Sequence, residues 1–139
     1  MRGIVVALSL VQGLLAFSAF AGEAEIRSAQ ETIDSQLRAF QAGDDETAYS
    51  YAAPNIKKLF PTVQSFMGMV ASGYQPVHRP TNYSFGKVEE MSPTAIIQEV
   101  LIVGPDGKDY EAVYTLELQP DGLYRITGVS LRAANSLST

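Results

Sequence analysis

FMGMVASGYQPVHRP, residues 66–80, carries the change of architecture in this chain. Phe66, Met67 and Val70 continue an apolar stripe at helical spacing, and Gly73 stops that helix. Pro76 and Pro80 then fix their own φ angles and bias Gln75 and Arg79 out of the helical region. This pattern predicts an extended crossing over Tyr74–Pro80, about 20 Å long at ~3.3 Å per residue, with His78 exposed on it. Residues before the segment have helical periodicity and residues after it alternate like antiparallel strands, so the segment joins two layers.

Working back from it, Thr62 suits an N-cap for the helix that begins at Val63. From Glu25 onward, Ile26, Ala29, Ile33, Leu37 and Phe40 fall on one helical face, with Arg27, Glu31, Asp34, Gln36, Arg38 and Gln41 assigned to the rest. Gly43 suits the left-handed position after a helix end. Asp44 or Asp45 caps a short helix running to Ala52, which makes Asp44, Asp45 and Glu46 a helix start rather than a metal site. Pro54 ends that helix. Asn55–Phe60 forms a further turn or two, with Ile56, Leu59 and Phe60 inward and Lys57 and Lys58 outward.

Working forward, Asn82–Glu90 and Thr94–Val103 are predicted strands. Tyr110, Ala112, Tyr114, Leu116 and Leu118 share one face of a third strand, and a fourth runs from Leu123 to Arg132. Pro105-Asp106-Gly107 and Pro120-Asp121-Gly122 are hairpin turns, because proline presets φ and Asp-Gly tolerates the remaining angles. The predicted fold class is therefore α+β: N-terminal helices packed on a curved four-stranded antiparallel sheet.

Residues 1–21 have one positive charge at Arg2, an apolar run from Ile4 to about Leu15, and small residues at Ala19 and Ala21. This is the pattern of a secretory signal cleaved after Ala21; the alternative is an uncleaved anchor, for which the run is short of the ~20 residues a span needs. The expected organisation is a signal peptide at 1–21, one α+β domain at 22–132 and a flexible tail at 133–139, exported to the periplasm or beyond. The 139 residues carry a net charge of −5, which becomes one unit more negative when Arg2 leaves. An acidic surface opposes binding to nucleic acid and anionic lipid. With no cysteine and one histidine, neither disulfides nor a structural zinc site are expected, and no cofactor is implied.

The order of helices and strands is similar to the cone of the nuclear transport factor 2-like (cystatin-like) proteins. More specifically the chain resembles the bacterial exported family known as domain of unknown function 4864. The residues that carry the resemblance are Ala39-Phe40; Tyr51-Ala52-Ala53-Pro54 with Ile56, Lys57 and Phe60; the run from Phe66 through Gly73-Tyr74, Pro76-Val77 and Arg79-Pro80; and Pro120-Asp121-Gly122 with Tyr124, Arg125, Ile126 and Gly128. Tyr124 stands where relatives often carry tryptophan. The resemblance implies a cavity between helices and sheet and supplies no mechanism.

Two chemistries remain open on these residues. In Ile96-Ile97-Gln98-Glu99-Val100-Leu101 both strand faces are apolar around the polar pair, so either residue could face inward. Glu99 inside would be a desolvated general base, whereas Gln98 inside would be an orienting hydrogen-bond group. His78 is a second weak acid–base candidate, set against plain exposure. Arg79 has a fork suited to backbone carbonyls, and Tyr74, Tyr83, Gln98, Tyr110 and Tyr114 are candidate ligand contacts, set against ordinary core packing. The expectation is an exported, non-enzymatic module for a small amphiphilic ligand or a protein partner, with a homodimer through the outer sheet face as a possible assembly. The alternative is an isomerase, lyase or hydrolase using Glu99 or His78 with a tyrosine.

Overall fold

The structure, a computed structural model, describes residues 14–134, with side chains from residue 22. The expected signal segment lies outside the residues whose side chains are described, and of the expected tail only Ala133 and Ala134 fall within them. Five helices, α1 (Leu14–Ala42), α2 (Asp45–Ser50), α3 (Pro54–Leu59), α4 (Val63–Gly73) and α5 (Gln75–His78), precede four strands, β1 (Asn82–Ser92), β2 (Ala95–Val103), β3 (Asp109–Leu118) and β4 (Tyr124–Ala133). The strands form one antiparallel sheet in the order β1-β2-β3-β4. The α+β class holds, with the helices packed on one sheet face. Among the described residues no helix is long and apolar enough to cross a membrane.

Local chemistry explains most of the boundaries. Gly43 closes α1 at φ 74°, and Asp44 caps α2 by accepting the Thr47 N–H. Thr62 and Ser65 form a reciprocal capping box at the start of α4. The Asp-Gly turns are built alike. In each, a glycine at positive φ (Gly107 at 80°, Gly122 at 86°) closes the turn, while Asp106 and Asp121 accept the backbone N–H two residues on.

The core lies between α1 and the inner sheet face. Ala29, Ile33, Leu37 and Phe40 of α1 meet Ile96, Val100 and Ile102 of β2, Ala112, Tyr114 and Leu116 of β3, and Ile126 of β4. Gln36, expected on the solvent side, is instead 4 % exposed. It lies three residues after Ile33 and four before Phe40, hence on their stripe, and α2 folds over it, with Gln36 Nε2 donating to the Ala48 carbonyl at 3.0 Å.

The crossing departs from expectation: residues 75–78 form a single helical turn, not an extended run. Pro76 stands in the first turn, where its missing N–H has no helical partner to lose. Val77 and His78 N–H donate to the Tyr74 carbonyl, both at 2.9 Å. His78 is accordingly half-buried, edge-on to Phe40 with ring centroids 6.0 Å apart. Burial first, and the Arg79 charge second, hold its imidazole below its ordinary pKa.

Arg79 clamps the crossing to the end of α1. Its Nη1 donates to the Phe40 carbonyl at 2.7 Å and to the His78 carbonyl at 3.0 Å, and Gln41 Nε2 returns a bond to the Pro80 carbonyl at 3.0 Å. A cation on the last carbonyls of a helix also complements its dipole. Arg79→Ala is expected to lower stability by about 1 kcal/mol, more than His78→Ala. Chemical unfolding of the two variants checks the order, and a reversal would remove the clamp from the account.

Candidate functional site

A groove of about 260 Å³ opens on the helix side of the sheet, between α3 and α4 and the inner face of β4. Phe40, Phe66, Val70 and Val77 form its floor, all buried core residues. Ile56, Leu59, Phe60 and Met69 line one side, and Ile126, Gly128 and Val129 of β4 the other. Leu59, expected inward, is 71 % exposed at this groove. The cause is that the apolar side of α3 faces the groove instead of a filled core. Phe66 stacks on Phe40 at 6.3 Å and tilts against Tyr49 at 5.1 Å, so the floor is an aromatic cluster. Lys57 stands outside the lining, 5.2 Å over the Tyr49 ring. Burial, then the charge of Arg125, holds its pKa below the ordinary lysine value.

One strongly polar side chain enters this lining. Gln36 spends its amide N–H on Ala48, while its Oε1 takes no donor among the described residues. Neither is that oxygen sealed in protein. Gln36 is thus a polar side chain with a spare acceptor in an otherwise largely apolar lining. Sequence reasoning missed Gln36 as a site residue, although its place on the Ile33–Phe40 stripe was a readable signal.

The candidates named from the sequence do not converge on this groove; Tyr83 and Tyr110 instead share a separate pocket between the ends of β1, β2 and β3. Tyr74 alone among them lines the groove. Gln98 faces inward and is fully buried, which resolves the alternative at the polar pair, but it serves the sheet. Its Nε2 donates to the carbonyls of Gly86 (3.2 Å), Lys87 (3.3 Å) and Glu99 (2.8 Å), while its Oε1 accepts from Gln30 at 2.9 Å. Glu99 lies on the outer face and accepts the Lys87 N–H at 3.2 Å. The β1–β2 register slips between Phe85 and Val88, so Gly86 and Lys87 form a bulge whose backbone groups need partners. Gln98 from inside and Glu99 from outside supply them. A Cβ on Gly86 would come within 2.5 Å of Glu99 Oε1, so any larger residue there would push the carboxylate off the bulge.

Tyr83 donates to the Asp34 carboxylate, and burial followed by that bond raises its pKa. Tyr110 donates to Asp106 at 2.6 Å, across the turn that follows β2. Tyr114 is fully buried beside Gln98 in the β2–β3 register; its hydroxyl has no partner among the described residues, and burial pushes its phenol far above the ordinary value. Arg79 lies in the clamp described above. Neither Glu99 nor His78 lines the groove.

A single antiparallel sheet with an apolar groove on its helix side, lined in part by Gln36, defines a small α+β protein. The chain belongs to the family described as Domain of unknown function (DUF4864), whose model matches residues 22–139. No curated protein matches it.

Proposed function

We propose that the protein is an exported binding module, non-catalytic, whose helix-side groove takes a small, largely apolar ligand bearing a hydrogen-bond donor. The observation that carries this reading is the groove of about 260 Å³ with the Gln36 oxygen as its unpartnered acceptor. The N-terminal charge, apolar run and Ala-x-Ala end support export. The acid–base alternative has its two candidate groups elsewhere, with Glu99 committed to the bulge and His78 packed beside the floor.

Naphthol and naphthalene, which differ by one hydroxyl, test the assignment. Both should raise the midpoint of thermal unfolding by mass action, naphthol more. Gln36→Met keeps the side-chain length and removes the acceptor. It should cut the naphthol advantage by about 1 kcal/mol, or roughly fivefold in affinity, with each variant referred to its own ligand-free midpoint. A flat response to both compounds would overturn the reading.

A further inference from the structure

We propose that the second half of β4 is a docking edge for an extended segment of a partner polypeptide, which joins the sheet as an additional strand and sets one large apolar side chain in the groove. This deepens the binding reading and rests on it, by naming a peptide strand as the ligand class.

The chain already shows this mode of pairing in the first half of the same edge. Ile126 N–H donates to the Tyr51 carbonyl at 2.9 Å, its carbonyl accepts the Ala53 N–H at 2.8 Å, and Ala52 bridges Ile126 in parallel. Asn55 Nδ2 caps the next carbonyl, Thr127 O, at 3.0 Å. Pro54 then opens α3 and carries the backbone off the edge.

Beyond that point the edge is open. The register of β3 and β4 slips at Thr127, and Ala134 N–H donates to Asp109 O at 3.0 Å, which fixes the alternation between them. In antiparallel pairing every second residue directs its N–H and C=O away from its neighbour. In β4 past the bulge these are Val129, Leu131 and Ala133, and among the described residues their outward groups have no partner. Val129 pairs with Tyr114, so its side chain is on the inner face, where it lines the groove. Unpaired backbone and apolar receptor are thus contiguous, and both continue a pairing surface that residues 51–53 already use.

The opposite edge is built differently. β1 has two register irregularities and carries Lys87, Glu89 and Glu90, features that blunt strand addition. On β4, Val129 and Leu131 are uncharged and Arg132 is neutralised by Glu111 across the pair. Main-chain bonds would supply affinity and the groove would select the side chain, as in other strand additions. The segment taken is therefore extended and uncharged, with one bulky apolar residue facing the groove.

Blocked pentapeptides Thr-Val-X-Val-Thr, with X leucine, tryptophan or aspartate, are titrated into the isotope-labelled full chain and followed by amide chemical shifts. The leucine and tryptophan peptides should move the amides of Gly128, Val129 and Leu131, and the aspartate peptide should bind about tenfold more weakly or worse. Methylating alternate peptide nitrogens should weaken binding about tenfold in one phase and leave it nearly unchanged in the other, because only one set of N–H groups faces β4. Affinity independent of that phase overturns strand addition. If naphthol binds and none of the peptides does, strand addition falls while the small-ligand groove stands; if neither binds, both fall. Sedimentation showing a dimer that these peptides dissociate would give the edge to a second copy of the chain and also overturn the proposal.

Discussion

Gln98→Glu is expected to destabilise the protein by about 3 kcal/mol near pH 7, the scale on which an uncompensated buried charge is felt. The side chain is fully buried and donates to three backbone carbonyls. A carboxylate there would bring negative charge against those carbonyls and offer them no donor, with only the Gln30 amide N–H left to stabilise it. Its pKa in the folded protein must therefore rise above the unfolded glutamate value of about 4.3. The sign of the pH effect follows from proton binding: the folded state holds the proton more tightly than the unfolded one, so stability falls as pH rises. The penalty is smallest below about pH 4.3, where the protonated acid still donates one O–H, and is complete above the folded-state pKa. Urea unfolding of the variant and the parent across that range checks it. An equal loss at both ends would assign the damage to packing instead of charge.

Phe40→Ala is expected to cost about 3 kcal/mol, the lower part of the range for truncating a buried phenylalanine. Phe40 is 1 % exposed, stacks on Phe66, meets His78 edge-on and forms part of the groove floor. Because the groove adjoins it, neighbouring side chains have room to relax into the space, which places the cost below that of a sealed site. In a domain of this size the midpoint of thermal unfolding should fall on the order of 10 °C. Phe40→Leu should fall by less than half as much. A loss under about 1 kcal/mol would mean that the ring is not packed as described, and the floor of the proposed site would go with it.

Both residues bear on how much the sequence revealed. Phe40 was legible because it ends a stripe with Ile33 and Leu37 that only a helix can align. Gln98 was legible as a question but not as an answer, since apolar residues flank it on both faces of β2 and strand periodicity does not choose between them. The β1 bulge chooses: it leaves backbone groups at Gly86 and Lys87 that require an amide on one side and a carboxylate on the other. The one-turn helix at 75–78 was hidden for a similar reason. A proline disfavours helix for the residue before it, yet it is welcome in a first turn, and only the docking of Val77 onto the core and of Arg79 onto α1 decides which preference prevails.

The strand order, the hairpin turns, the amphipathic α1 and the α+β class follow from the sequence alone, because each rests on local periodicity or on turn chemistry within a few residues. The groove, the burial of Gln36 and the open edge of β4 do not. They depend on distances between elements far apart in the chain: α2 closing over α1, α3 standing on β4 without filling the space beneath it, and residues 51–53 pairing with half of an edge. Periodicity specifies which face of an element is apolar. What that face meets, a filled core under Phe40 or a groove under Leu59, is set only when the elements pack.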